Sequence, residues 1–91
     1  MHPKRVTFAI QAENRADVLA RIALLFHRLN VEIHALAMVR KRGSKTMQMR
    51  VVVEAETDHA HRLKAHLCKV VEVRSVTMER DRAELRGEVL V

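Results

Sequence analysis

Alternation of apolar and mostly polar residues between Lys4 and Ala12 predicts a first strand. One side carries Val6, Phe8 and Ile10, and the other carries Thr7, Ala9 and Gln11. A period of two is typical of a strand with one buried face. The polar run from Glu13 to Arg15 then predicts a turn.

Apolar residues next recur every three or four positions between Ala16 and Leu29. They are Val18, Leu19, Ile22, Leu25, Phe26 and Leu29. This spacing predicts an amphipathic helix of about four turns. Asn14 is the predicted N-cap, because its side chain can accept a hydrogen bond from a free backbone N–H group. Asn30 is predicted to end the helix, since asparagine tolerates the left-handed conformation.

Two further strands are predicted from Val31 to Arg42 and from Thr46 to Ala55, joined by a tight turn at Gly43. One face of the second strand carries Val31, Ile33, Ala35, Ala37 and Val39. We expect its other face, with Leu36 and Met38, to point away from the helices together with Val52 and to be open to a partner. The second strand is also expected at an edge of the sheet, where a long apolar strand is a template for pairing.

A second helix is predicted from Asp58 to Lys69, with Thr57 or Asp58 as its cap. Its apolar line is Ala60, Leu63 and Leu67. The fourth predicted strand, from Val71 to Met78, changes phase between Val73 and Val76. A bulge, or a change in what covers the sheet, would explain that slip.

The predicted element order is βαββαβ. Two split βαβ units of this kind form an α+β, ferredoxin-like fold, in which a four-stranded antiparallel sheet carries both helices on one face. We expect residues 4–80 to form this domain and residues 81–91 to form a charged C-terminal tail.

Composition narrows the range of functions. Ninety-one residues are enough for one domain, and only two of them, Phe8 and Phe26, are aromatic. A single cysteine, Cys68, excludes an internal disulfide and fits a cytoplasmic protein, and we expect it to be partly buried. No signal peptide or membrane-spanning stretch is predicted. The six histidines lack ligand-like spacing and no catalytic arrangement stands out, so we expect no metal, no cofactor and no enzymatic activity.

The run ENRADVLARIALLFHRLNVEIHALAM resembles the ACT domain that opens the small regulatory subunits of acetohydroxyacid (acetolactate) synthase. The later segment KVVEVRSVTMER supports the same resemblance, which covers residues 4–80. Residues 82–91 resemble the point at which longer members continue into a second domain. The chain is therefore similar to the short, single-domain form of the subunit.

The resemblance implies a non-catalytic protein of branched-chain amino acid biosynthesis. Members form homodimers, here through strand 31–39, as one continuous eight-stranded sheet. They bind and activate a thiamine-diphosphate-dependent catalytic subunit. In many members an amino acid, usually valine, binds between two ACT domains and inhibits the holoenzyme.

Carried onto this chain, the amino-acid effector site falls on Asn14, Asp17, Glu32 and Ile33. The family prefers glycine where this chain has Asp17, and asparagine where it has Glu32. Two carboxylates near the ligand carboxylate would repel it by a few kcal/mol at an effective dielectric constant of about 20. We therefore expect weak or absent valine feedback, or else a cationic ligand.

Two alternatives remain open. One is a stand-alone ACT amino-acid sensor that acts on another enzyme or regulator. The other is a nucleic-acid-binding module of the same topology, to which the net charge of +6 and the basic residues Arg40, Lys41, Arg42 and Lys45 would contribute. RNA-binding domains of this topology stack bases on aromatic side chains of the sheet. This chain has no aromatic residue in its third strand, which counts against nucleic acid as its partner.

Overall fold

The computed structural model describes residues 4–80 and contains six elements in the predicted order. They are β1 (Lys4–Glu13), α1 (Ala16–Arg28), β2 (Ile33–Arg40), β3 (Thr46–Ala55), α2 (Thr57–Cys68) and β4 (Val73–Arg80). The predicted tail, residues 81–91, lies outside the described residues. No helix within residues 4–80 is long and apolar enough to cross a membrane.

The four strands form one antiparallel sheet in the order β2-β3-β1-β4. This arrangement confirms the predicted ferredoxin-like fold and places β2 at an edge. β2 is shorter than predicted, because it begins at Ile33 rather than Val31 and ends at Arg40. Val31 instead lies in the core with 9% of its surface exposed.

The core lies between the two helices and one face of the sheet. It contains Phe8 and Ile10 of β1, Val18, Ile22 and Phe26 of α1, Met47, Met49, Val51 and Val53 of β3, and Ala60, Leu63 and Leu67 of α2. The rings of Phe8 and Phe26 are tilted against each other with centroids 5.9 Å apart. Both aromatic side chains are therefore committed to packing.

The predicted orientation of Leu36 and Met38 is wrong. These side chains pack against the core, because they lie opposite Val51 and Met49 of β3. A bulge between Ile33 and Ala35 shifts the register of β2 by one residue, and a one-residue shift exchanges the two faces of a strand. The face away from the helices, called the outer face below, therefore carries Ala35, Ala37 and Val39.

Val52 does lie on the outer face, opposite Ala35 and Thr7, but only 3% of its surface is exposed. Val52 is therefore closed to a partner, and the prediction that it would be open is wrong.

The phase slip in the fourth strand is a bulge, which was one of the two predicted explanations. The register between β1 and β4 shifts between Gln11 and Ala12. As a result Val73, Val76 and Met78 all pack against the core, although their spacing in the sequence is irregular. Val71 precedes the strand and is 89% exposed.

The helix ends differ in detail from the prediction. The N-caps are Arg15 and Glu56, and neither makes a side-chain capping hydrogen bond. Asn30 follows α1 with φ of 62°, and Gly43 has φ of 80° in the hairpin, so both positions adopt the left-handed conformation expected of them. Cys68 is exposed rather than partly buried.

Candidate functional site

Asn14 joins the loop before α1 to the hairpin between β2 and β3. Its Nδ2 donates to the backbone oxygen of Ser44 at 3.1 Å, and its backbone N–H donates to the oxygen of Lys45 at 3.0 Å. The predicted capping role is therefore wrong. The amide side chain instead fixes the position of the hairpin relative to the start of the helix.

Asp17 lies in the first turn of α1 and is paired with two arginines. Arg15 contacts it with two parallel bonds, Nε to Oδ1 at 3.1 Å and Nη2 to Oδ2 at 2.7 Å. Arg21, one turn later, reaches the same Oδ2 at 3.1 Å. A two-bonded guanidinium–carboxylate contact fixes geometry as well as charge. Asp17 therefore does not present a lone negative charge at the helix start.

The pairing extends into a group of six side chains, called the loop network below: Glu13, Arg15, Asp17, Arg21, Glu72 and Arg74. Arg21 Nη1 bonds Glu72 Oε1 at 2.6 Å, and Glu13 lies 3.4 Å from Arg15 and 3.9 Å from Arg74. A backbone bond of 3.0 Å from Glu13 to Glu72 holds the two strand ends together. Three acids and three bases leave the network formally neutral.

These contacts shift the titration of the carboxyls in one direction. The hydrogen bonds from Arg15 hold the pKa of Asp17 below its usual 3.8. The bond from Arg21 likewise lowers the pKa of Glu72 below its usual 4.5. The pKa of Arg15 is raised by its bond to Asp17. Each shift favours the charged form, as expected for hydrogen-bonded ion pairs.

One contact of this network could have been predicted from the sequence. Asp17 and Arg21 are four residues apart on α1, a spacing at which oppositely charged side chains meet. The contacts that Glu72 and Arg74 make were not predictable in the same way, because these residues lie far from α1 in the sequence. The strand order brings them beside the end of β1.

Glu32 and Ile33, the other two predicted site residues, lie at the opposite end of α1. The helix has 13 residues, so its ends are separated by about 20 Å at 1.5 Å per residue. Glu32 is exposed and lines a shallow groove of about 300 Å³ with His27, Asn30 and Val31. Ile33 is 36% exposed. One chain thus brings Asn14 and Asp17 together but not Glu32 or Ile33.

A second groove of about 460 Å³ crosses the outer face towards the hairpin. Its lining combines small and apolar side chains with polar and basic ones: Ala9, Ala37, Val39, Lys41, Ser44, Thr46, Gln48, Met49 and Arg50. Arg50 is held by Glu79 at 2.9 Å. The hairpin cations Arg40, Lys41, Arg42 and Lys45, called the basic hairpin below, have no acidic partner within residues 4–80.

The outer face of β1 and β3 carries no aromatic side chain in the described strands. The positions there are Arg5, Thr7, Ala9 and Gln11 on β1 and Gln48, Arg50, Val52 and Glu54 on β3. Base stacking needs planar side chains at such positions. Residues 4–80 also contain no group of three histidine, cysteine, aspartate or glutamate side chains arranged to hold a metal ion.

Comparison with known proteins places these features in context. No protein-family model matches the chain. The chain is 29% identical over 89 residues to an acetolactate synthase small subunit of Mycobacterium bovis, a match that covers 98% of this chain and 53% of the relative. A putative acetolactate synthase small subunit of Mycobacterium tuberculosis matches equally. The chain spans about half the length of these curated relatives.

Solved structures agree on the fold. The acetolactate synthase small subunit of Thermotoga maritima superposes with a TM-score of 0.74 at 19% identity, covering 82% of this chain and 47% of that one. The ACT domain of a GTP pyrophosphokinase from Chlorobium tepidum gives a TM-score of 0.74 at 17% identity, covering 85% and 99%. The resemblance predicted from the sequence is therefore found in both sequence and fold.

Proposed function

We propose that this chain is the non-catalytic regulatory subunit of an acetolactate synthase, because it shares the fold of ACT domains and is similar in sequence to acetolactate synthase small subunits over nearly its whole length. In this role it dimerises, binds the thiamine-diphosphate-dependent catalytic subunit and raises its activity in branched-chain amino acid biosynthesis. Its response to valine is weak or absent. The observation that carries the proposal is the sequence similarity over 98% of the chain.

The free edge of β2 supports dimerisation. Among the strands of residues 4–80, β2 pairs only with β3, so its other edge presents backbone groups that no described strand pairs. From Ala35 to Val39 the strand carries only apolar side chains, whereas the other edge strand, β4, exposes Arg74, Ser75 and Thr77. An apolar edge pairs with a second copy more readily than a polar one, so the proposed homodimer forms through β2.

The Asn14 contact supports an effector site shared between two copies. The hairpin to which Asn14 is bonded follows the end of β2. If two β2 strands pair antiparallel about a two-fold axis, the start of one strand meets the end of the other. The partner's Glu32 and Ile33 then approach the hairpin and the loop at Asn14 and Asp17. The four predicted site residues, separated in one chain, come together in this dimer.

The loop network supports a weak valine response. A ligand carboxylate at the start of α1 would be attracted by free backbone N–H groups and by a cation. Arg15 and Arg21 are the cations present, and both are bonded to Asp17. A valine carboxylate would have to displace the side chain of Asp17 from these arginines, which costs the ligand most of its gain.

Two surfaces are candidates for the contact with the catalytic subunit: the outer-face groove with its basic hairpin, and residues 81–91. The groove combines the exposed Val39 with Lys41, which has no acidic partner within residues 4–80, and a mixture of apolar and polar side chains is typical of protein interfaces. In an RNA-binding domain of this topology the same face would carry aromatic side chains, and here it carries none within residues 4–80. A protein partner therefore fits the groove better than a nucleic acid.

The decisive experiment measures acetolactate synthase activity of the catalytic subunit from the same organism, with and without this chain, and with added valine. Stimulation that valine does not reverse is the expected result. Stimulation that valine reverses would keep the regulatory function and contradict the weak valine response. Absence of stimulation would overturn the proposal.

A stand-alone amino-acid sensor is the second candidate function, favoured by the equally good fold match to the ACT domain of a different enzyme, a GTP pyrophosphokinase. Calorimetric titration with the twenty amino acids separates the two functions. Tight binding of one amino acid, combined with no effect on synthase activity, would support the sensor.

A further inference from the structure

We propose that Glu32 and the basic hairpin form symmetric ion pairs between two copies of this chain, and that these pairs set the register of the β2–β2 interface. The inference rests on the proposed homodimer and goes beyond it. It assigns a role to Glu32 that is neither repulsion of a ligand nor simple solvation. It also identifies the partner of the unpaired cations at the hairpin as a second copy of this chain.

Glu32 is the one acid in the described part of the chain without local compensation. Glu13, Asp17, Glu54, Glu72 and Glu79 each lie within 4 Å of a basic side chain. Glu56 and Asp58 cap and begin α2, where the helix dipole stabilises a negative charge. Glu32 precedes β2, is exposed, and has no ion pair or hydrogen bond within residues 4–80.

The unpaired cations lie at the other end of the same strand. Arg40 ends β2, and Lys41 and Arg42 follow it, all three exposed. The edge strand is therefore negative where it begins and positive where it ends, with an apolar stretch between. Such a pattern is self-complementary when two copies run antiparallel and self-repelling when they run parallel.

Symmetry restricts the pairing to a few registers. A two-fold axis normal to the sheet keeps every side chain on its own face, so the axis must lie midway between one residue and the same residue of the partner strand. An axis at Leu36 places Glu32 opposite the partner's Arg40, and an axis at Ala37 places it opposite the partner's Arg42. The bulge near His34 moves Glu32 by about one position. After that shift Glu32 lies opposite the partner's Val39, next to the partner's Arg40, in the first register and opposite the partner's Lys41 in the second, and symmetry makes each contact twice.

The pairs select the partner and the register more than they supply affinity. Exposed ion pairs contribute modestly to binding, whereas like charges brought together at the same positions are repulsive and exclude wrong pairings. The apolar stretch from Ala35 to Val39 supplies the attraction. A shift of the strand along this stretch would cost few apolar contacts, so the charges at its two ends are what distinguish one register from the next.

Charge reversal and mixing test the inference. Glu32→Lys places cations opposite cations in its own homodimer, and the double variant Arg40→Glu with Arg42→Glu places acids opposite Glu32. Each variant alone should dimerise about tenfold more weakly than the native chain at low salt, as measured by sedimentation. Mixed together they should form a heterodimer of near-native stability, because every contact is again between opposite charges. Native mass spectrometry with a size-tagged copy detects that heterodimer directly.

Matched controls carry the same changes in charge on α2 and at its two caps. This helix packs over β4 and β1 and lies away from the β2 edge. Glu56→Lys matches the first variant, and Arg62→Glu with Lys69→Glu matches the second. Both controls should dimerise as the native chain does. High salt should reduce the difference between variants and controls, since exposed charges are screened within about 8 Å at physiological ionic strength.

The sedimentation results test the ion pairs and the homodimer separately. A native chain that sediments as a monomer would overturn the homodimer and the ion pairs together. A native dimer whose variants associate as tightly as the controls, or whose mixture shows no preference for the heterodimer, would overturn the ion pairs and leave the homodimer standing. Recovery on mixing also shows that both variants fold, because a misfolded chain cannot restore the interface.

Discussion

The effect of the Asp17 carboxylate on a ligand depends on the side chains around it. Taken alone, a carboxylate at the start of a helix would oppose an anionic ligand. In the structure it is bonded to Arg15 and Arg21, and its pKa is lowered by the Arg15 contact. Asp17 therefore affects an anionic ligand mainly by occupying Arg15 and Arg21, and not by adding unbalanced negative charge.

The loop network predicts a pH dependence of stability. Because the pKa values of Asp17 and Glu72 are lower in the folded chain than their usual 3.8 and 4.5, the unfolded chain binds protons first as the pH falls. The contribution is complete above the usual values and is lost as the pH drops through the lowered ones. Asp17→Asn should therefore flatten the fall in Tm between about pH 5 and about pH 3, measured by circular dichroism.

Asp58→Asn is the comparison for that measurement, since it removes an exposed carboxylate outside the network. If Asp17→Asn flattens the profile no more than Asp58→Asn does, the network does not contribute as described.

Asn14 supports a second residue-scale prediction. Asn14→Ala removes the 3.1 Å bond to the oxygen of Ser44 and should lower the free energy of unfolding by about 1 kcal/mol. Amide exchange should accelerate in the hairpin and not at the start of α1. Faster exchange in the first turn of α1 would indicate the capping role that the structure does not show.

Asn30 provides a contrast for Asn14. Asn30→Gly should be tolerated, because glycine adopts the observed φ of 62° without strain. Both asparagines were singled out from the sequence, but only the role of Asn30 follows from backbone preference alone. The role of Asn14 depends on a hairpin thirty positions away, which local patterns do not report.

At the scale of elements, the structure contains two bulges, of which the sequence pattern indicated one and not the other. In β4 the irregular spacing of Val73, Val76 and Met78 indicated a bulge, and the structure contains one. In β2 the pattern looked regular because both faces are apolar, so it gave no sign of the shift near His34. The faces of Leu36 and Met38 were exchanged as a consequence.

The β2 edge carries the prediction at this scale. Ala37→Glu places two negative charges close together across the proposed two-fold axis and should convert the dimer into a monomer in sedimentation experiments. Thr77→Glu, which places the same charge on the exposed face of the other edge strand, should leave the dimer intact. Dispersal by Thr77→Glu alone would move the interface to β4.

For the whole molecule, the fold was predictable and the site only partly so. Element order and the core residues of β1, α1, β3 and α2 follow from periodicities within one chain and are observed, whereas the faces of β2 were predicted the wrong way round. The effector site as implied by the resemblance draws on two ends of α1 that are about 20 Å apart. No pattern within one chain can report how a second copy closes that distance.

Restoring the preferred residues of the resembled family tests the site as a unit. Asp17→Gly combined with Glu32→Asn should raise valine affinity to about the millimolar range, because the Arg15 and Arg21 atoms that are bonded to Asp17 become available to the ligand carboxylate. Calorimetry at protein concentrations that keep the variant dimeric measures this change.

Glu32→Asn alone is the control for the double variant, because it leaves Asp17 on both arginines. An unchanged affinity in the double variant would mean that the loop network is not the cause of the proposed weak valine response.

The two bonds from Asn14 to the hairpin have a mechanical consequence. They tie the loop before α1 to the turn after β2, so a displacement of either segment strains the other. In the proposed dimer this loop and this turn contact the neighbouring copy. A small displacement on one side would therefore be transmitted to the other through one turn of backbone, which would let the proposed regulatory subunit pass a signal from one copy to the next.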